Sequence, residues 1–228
     1  MSLRHSVVPA SKARYETPAN LTGHSTGFTR WSAVDDTTPG AVHTGFGICR
    51  LEAGGRVGTC VASYEQSVYG VEGEVILQTS EGATLIRPGD YGLIPVGVPH
   101  SWRNLSDAPA RWAQMIAPQP RPRFDGDLMR TLELPETLPV PIDDRDPRTR
   151  RYGHISPENM DVAKQSQENL AQSASMRTAL LVYSGITVKM MVDSDLGADL
   201  TTMFMVHYDP DGVAGPHDHP FEETYFFL

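Results

Sequence analysis

The sequence predicts an all-β chain of the sandwich or barrel class, built from two copies of one strand-rich unit. Three observations carry this. Eighteen prolines and twenty glycines are spread along 228 residues, a composition that suits many short strands and turns. Short runs rich in Val, Ile, Tyr and Leu are bounded by Gly, Pro or Asp, and strands at that spacing build sandwiches and barrels. The chain also repeats itself when shifted by 157 residues.

Taken in order, residues 1–26 read as an N-terminal arm. Residues 27–118 form the first unit. In it GAVHTGFGICRLE alternates loosely up to a turn signal at Ala53-Gly54-Gly55. VYGVEGEVILQTS follows, then a turn at Glu81-Gly82, then ATLIRPGDYGLIPV and ARWAQMIA. Residues 119–175 are dominated by proline and charge and read as a linker that wraps an interface. A short helix is expected near its end, with Ser156 as cap and Pro157 at the first helical position. Residues 176–228 begin the second unit, with strand-like TALLVYSGITVKMMV and ADLTTMFMVHYD.

The repeat sets 206–228 on 49–71 without a gap. Gly212 falls on Gly55, Gly215 on Gly58, Tyr208 on Leu51, and Glu222 on Glu65. On that alignment the second copy stops at Leu228 in what should be mid-strand, so the sequence is expected to be followed by further chain.

Composition excludes several classes. The net charge of -9 and the lack of a basic stripe argue against nucleic acid or an anionic membrane as partner. No apolar run approaches a membrane span, and the N-terminus lacks a signal peptide's apolar core. Two cysteines, Cys49 and Cys60, give no disulfide framework, so a reducing, cytoplasmic setting is expected. No nucleotide-binding or G-x-S-x-G fingerprint is present.

The chemistry concentrates in HDHPFEETYFFL, residues 217–228. His217 and His219 are two apart, which on a strand puts both imidazoles on one face. Glu223 follows across a Pro220 turn and can return a carboxylate to the same point. Two imidazoles and a carboxylate suit iron, manganese, zinc or nickel with coordination positions left open. Met203, Met205 and His207 alternate on the preceding run and are candidates to line the same pocket, as is Tyr225. The neighbouring Glu222 points the other way and is expected to be solvated.

These residues resemble the first signature motif of the cupin superfamily, G-x5-H-x-H-x3/4-E-x6-G, with His217, His219 and Glu223 at its ligand positions. The second motif, G-x5-P-x-G-x2-H-x3-N, is matched at every fixed position by Gly89, Pro95, Gly97, His100 and Asn104. The resemblance implies two cupin-type antiparallel barrels of jelly-roll form in one chain, a bicupin, with the second barrel truncated at Leu228. It also implies a fourth ligand, a histidine, beyond Leu228, and a homodimer. In the first barrel the repeat puts Cys60, Ala62 and Gln66 where His217, His219 and Glu223 stand, a poor set for a hard divalent metal. That barrel is read as metal-free, with a small-molecule pocket at His100, Trp102, Tyr69, Cys60 and Gln66.

The resemblance implies a metal-dependent enzyme acting on a small organic molecule in the second barrel, of dioxygenase, decarboxylase, isomerase or hydrolase type. Ureidoglycine aminohydrolases share the layout of a degenerate first barrel and a metal in the second. Their ligand order, E-x-H-x3-H, differs from the H-x-H-x3-E found here, so that activity is not carried over. The alternatives are a non-catalytic small-molecule binding or sensing protein and a structural dimerisation scaffold.

Overall fold

The computed structural model describes residues 5–120, 127–161, 178–179, 185–215 and 222–228. The first unit is a curled antiparallel sheet of β1 (Ser25–Val34), β2 (Gly45–Ala62), β3 (Glu65–Glu72), β4 (Val75–Thr79), β5 (Gly82–Ile86), β6 (Asp90–Ile94), β7 (His100–Arg103) and β8 (Ala110–Ala117). The stretch expected as a linker contributes three more strands: β9 (Leu128–Arg130), β10 (Pro139–Pro141) and β11 (Tyr152–His154). The order runs β10-β5-β4-β7-β2-β8-β3-β6-β11, with β1 and β9 also on β2. A 3-10 turn, Pro157–Met160, stands where the short helix was expected, and the Asn159 side chain accepts from the Ser156 N–H.

β2 is the spine. Its first half pairs β8 and its second half pairs β7. The Ala53-Gly54-Gly55 signal is therefore a bend inside one strand and not the turn the sequence predicts. Gly54 sits at φ +69°, a region open to glycine at little cost, and the bend lets one strand serve both faces of the barrel.

Apolar side chains on one face of each strand close the interior. Leu51, Val68, Leu77 and Ile86 are at most 1% exposed, and Trp112 joins them. Trp102 and Trp112 stack with centroids 4.5 Å apart. The motif residue Asn104 is fully buried. It donates to the carbonyls of Leu51 and Ala108 and accepts from Ser106, so it pins the β7–β8 loop.

β11 locks onto β6 through two glycines. Tyr152 pairs with Gly92 and Gly153 with Tyr91. A Cβ on Gly92 would meet the Tyr152 ring at 2.1 Å, and one on Gly153 would meet the Tyr91 ring at 2.4 Å. Each ring thus lies over the other strand's glycine. Gly92→Ala is expected to cost about 2–3 kcal/mol by overpacking, read as a lower urea midpoint with an unchanged slope.

The second unit is described as a three-stranded sheet of β12 (Thr178–Ala179), β13 (Ile186–Val192) and β14 (Met203–Tyr208). Its β13–β14 pair skips one residue between Met190 and Val192. The β1–β2 pair skips one between Ser32 and Val34. Ser32 opposes Gly47 and Met190 opposes Phe204, after which Val34 opposes Phe46 and Val192 opposes Met203. The two bulges are the same feature at the same register.

Two carboxylates join the units. Glu65, 1% exposed, accepts from the backbone N–H of Asp199 and Leu200 and from the Thr201 hydroxyl. Glu222 accepts from the backbone N–H of Val42, His43 and Thr44 and from the Thr44 hydroxyl. Glu222 is thus an interface acceptor and not the solvated residue the sequence suggested. The pairs Glu65/Glu222 and Thr44/Thr201 are each 157 positions apart. Behind the Glu65 clamp, Tyr91 and Leu93 of β6 pack with Ile155, Met160, Met191 and Val192.

Candidate functional site

Inside the first barrel lies a cavity of about 670 Å³. Cys60 and His100 are cross-strand neighbours on β2 and β7. Gln66 enters from β3 and Gln114 from β8, and all four line the cavity. Gln114, Gln66 and His100 form an ordered relay. His100 Nδ1 lies 2.9 Å from the Val98 carbonyl, which can only accept, so Nδ1 carries the proton. Nε2 is then bare and accepts from Gln66 Nε2 at 3.1 Å. Gln66 Oε1 accepts from Gln114 Nε2 at 2.7 Å, and Gln114 Oε1 accepts from Arg30 Nε at 3.1 Å. One chain of donors therefore runs from a guanidinium to a carbonyl.

Burial lowers the His100 pKa, outweighing the upward pull of the Val98 carbonyl, so the ring is neutral at pH 7. Burial pushes the Cys60 thiol up to about 11 and the Cys49 thiol up to about 12. Neither is a thiolate nucleophile at neutral pH.

The donor set does not fit a metal. The one imidazole nitrogen free of a proton is taken by an amide N–H, the thiol is protonated, and Ala62 offers nothing.

The predicted residues divide as follows. His100, Trp102, Cys60 and Gln66 all line this cavity. Tyr69 does not. Residues 66 and 68 face inward, so 69 alternates outward and packs against the second unit with Met203 and Met205. Those two methionines are half-buried on β14, while His207 is exposed and pairs with Asp209 at 3.3 Å. Tyr225 and Glu223 lie together in the C-terminal tail. Burial, then the Glu223 carboxylate beside it, pushes the Tyr225 hydroxyl up to about 12. His217 and His219 lie outside the described residues. Among the described residues no group of three or more His, Cys, Asp or Glu side chains converges.

Sequence reasoning missed Arg30 and Gln114. Neither belongs to a motif, and they meet the site only because β1 and β8 both flank β2. Arg30 lies over Gly47, where a Cβ would come within 2.7 Å of the guanidinium carbon.

Among the described residues no helix is long and apolar enough to cross a membrane. Comparison with solved structures gives several partial likenesses. The chain is similar to the polyketide cyclase RemF from Streptomyces resistomycificus, at 19% identity and TM-score 0.49, covering 58% of this chain and 88% of that one. It is similar to a sugar phosphate isomerase from Silicibacter pomeroyi, at 21% identity and TM-score 0.43, over 50% and 77%. It is also similar to a predicted oxalate decarboxylase from Thermotoga maritima, at 20% identity and TM-score 0.43, over 49% and 98%. No curated protein matches the chain. Residues 47–116, within the first barrel, match the cupin domain family model.

Proposed function

We propose that the chain is a bicupin whose second unit is a metal-dependent enzyme site for a small organic molecule. One observation carries this reading. The Glu65 and Glu222 clamps are equivalent across the 157-residue repeat. In the first unit Glu65 turns outward to the interface and the next residue, Gln66, turns into the barrel beside His100. By the 157-residue repeat Glu223 corresponds to Gln66, and His217 and His219 correspond to Cys60 and Ala62. Where the first unit has thiol, methyl and amide, the second has imidazole, imidazole and carboxylate. That set fits a divalent iron, manganese, zinc or nickel ion. A metal so held would supply Lewis acidity, or an activated water or dioxygen, to a substrate in its open positions.

His217→Ala tests it. Elemental mass spectrometry of the purified wild type is expected to give about one such ion per chain, and the variant to lose it. Gln66→Ala, the first-barrel control, should keep it. Wild type that stays metal-free after reconstitution with each of the four ions would overturn the reading.

A further inference from the structure

We propose that the first barrel is a metal-independent binding site for a small organic anion, a carboxylate on a flat apolar ring, anchored by Arg30. The cavity of about 670 Å³ is in the range that holds small ligands. Its apolar wall is flat. Trp102 and Trp112 stack at 4.5 Å, and Phe28 lies 5.9 Å from Trp112. A planar ring can extend that stack with offset or edge contacts.

The charge of the site selects the ligand. Arg30 donates from Nε to Gln114 and from Nη1 to Ser32. Among the described residues no carboxylate forms an ion pair with it. The other charged groups on the lining are Lys12, Arg14, Glu16 and Asp35, two of each sign. His100 is neutral. Arg30 is therefore the uncompensated charge of the cavity. Its Nη2 is buried and lacks an acceptor, and so is the Trp112 Nε1 on the same lining. A buried donor without a partner costs about 1–3 kcal/mol. A carboxylate brings two acceptor oxygens and the missing counter-charge, in the planar geometry a guanidinium matches best.

The site is built and specific to this unit. Gly47 leaves the room the guanidinium occupies. In the matching β13–β14 pair, Val188 and Phe204 stand where Arg30 and Gly47 stand in β1–β2. At those matched positions there is thus neither the cation nor its space.

The test uses the whole chain, stripped of metal by EDTA, with benzoate and its neutral counterpart benzamide as probes. Tryptophan emission is the readout, since two of the three tryptophans form the apolar wall. Benzoate should quench saturably in the millimolar range or tighter, and benzamide at least tenfold more weakly, about 1.4 kcal/mol. Arg30→Met should weaken benzoate at least tenfold and leave benzamide unchanged. Arg30→Lys, which keeps the charge without the fork, should fall between and covers the case in which the methionine variant does not fold. Equal binding of the two probes would overturn the proposal. So would no saturable response to benzoate, or benzoate binding that the EDTA-treated protein loses.

Discussion

Glu65→Ala is expected to lower the free energy of unfolding by about 2–4 kcal/mol, the largest effect of any single side chain at the interface. Glu65 is 1% exposed and holds the backbone N–H groups of Asp199 and Leu200 and the hydroxyl of Thr201. Alanine leaves three donors with no acceptor beside a core of Tyr91, Leu93 and Met191. Each orphaned donor costs about 1–3 kcal/mol, and water entering the shortened site recovers part of it. Glu222→Ala should cost less, because that carboxylate is only half-buried. The two clamps hold one interface from opposite sides, so the double variant should lose less than the two single losses combined. Urea unfolding of the three variants reads this directly. A Glu65→Ala midpoint equal to wild type would mean that the clamp is an ornament of the packing.

Glu222 predicts an acid limb. Burial raises the Glu222 pKa, but the N–H groups of Thr44, His43 and Val42 outweigh it and hold the carboxyl below its ordinary 4.5. A folded-state pKa below the unfolded one gives stability that is complete above the unfolded value. It is lost as the pH falls through the folded one. Glu222→Gln should therefore flatten the stability curve below about pH 4.5.

Much of the first barrel is legible in the sequence because its signals are local. Gly89 and Gly97 take positive φ, where the motif needs tight turns, and Asn104 sits buried four residues past His100. What was not legible is set by pairing across the chain. The Pro-rich stretch looks like a linker because β9, β10 and β11 are each three residues long. They exist only as additions to strands already formed. The direction of Glu222 was lost for a similar reason: alternation says that neighbours face apart, but not that the outward side meets another unit. Arg30 was invisible because its partners lie 84 positions on at Gln114 and across β2 at Gly47.

Gln66→Glu is expected to reverse the pH dependence that His100 gives the first barrel. In the wild type burial lowers the His100 pKa below 6.5. The unfolded chain then takes up the proton first on acidification. This site is at full strength above about pH 6.5 and loses stability as the pH falls toward the folded value. A glutamate at 66 removes the N–H that Nε2 accepts and sets an anion against it. An opposite charge at that range favours the imidazolium by about 1–3 pH units. His100 should titrate higher in the variant, followed by NMR of the imidazole carbons. The variant should also be more stable at pH 5 than at pH 8, where a buried carboxylate would face a bare nitrogen at a cost of several kcal/mol. An unchanged His100 titration would mean that Gln66 and His100 are not coupled, and the relay from Arg30 would fail with it. Burial keeps His100 neutral, and the amide at 66 brings no charge to it. A carboxylate there would both charge the histidine and occupy the role that a bound anion takes beside Arg30. On the two proposals, Gln66 against Glu223 is what separates a barrel for an organic anion from a barrel for a metal cation.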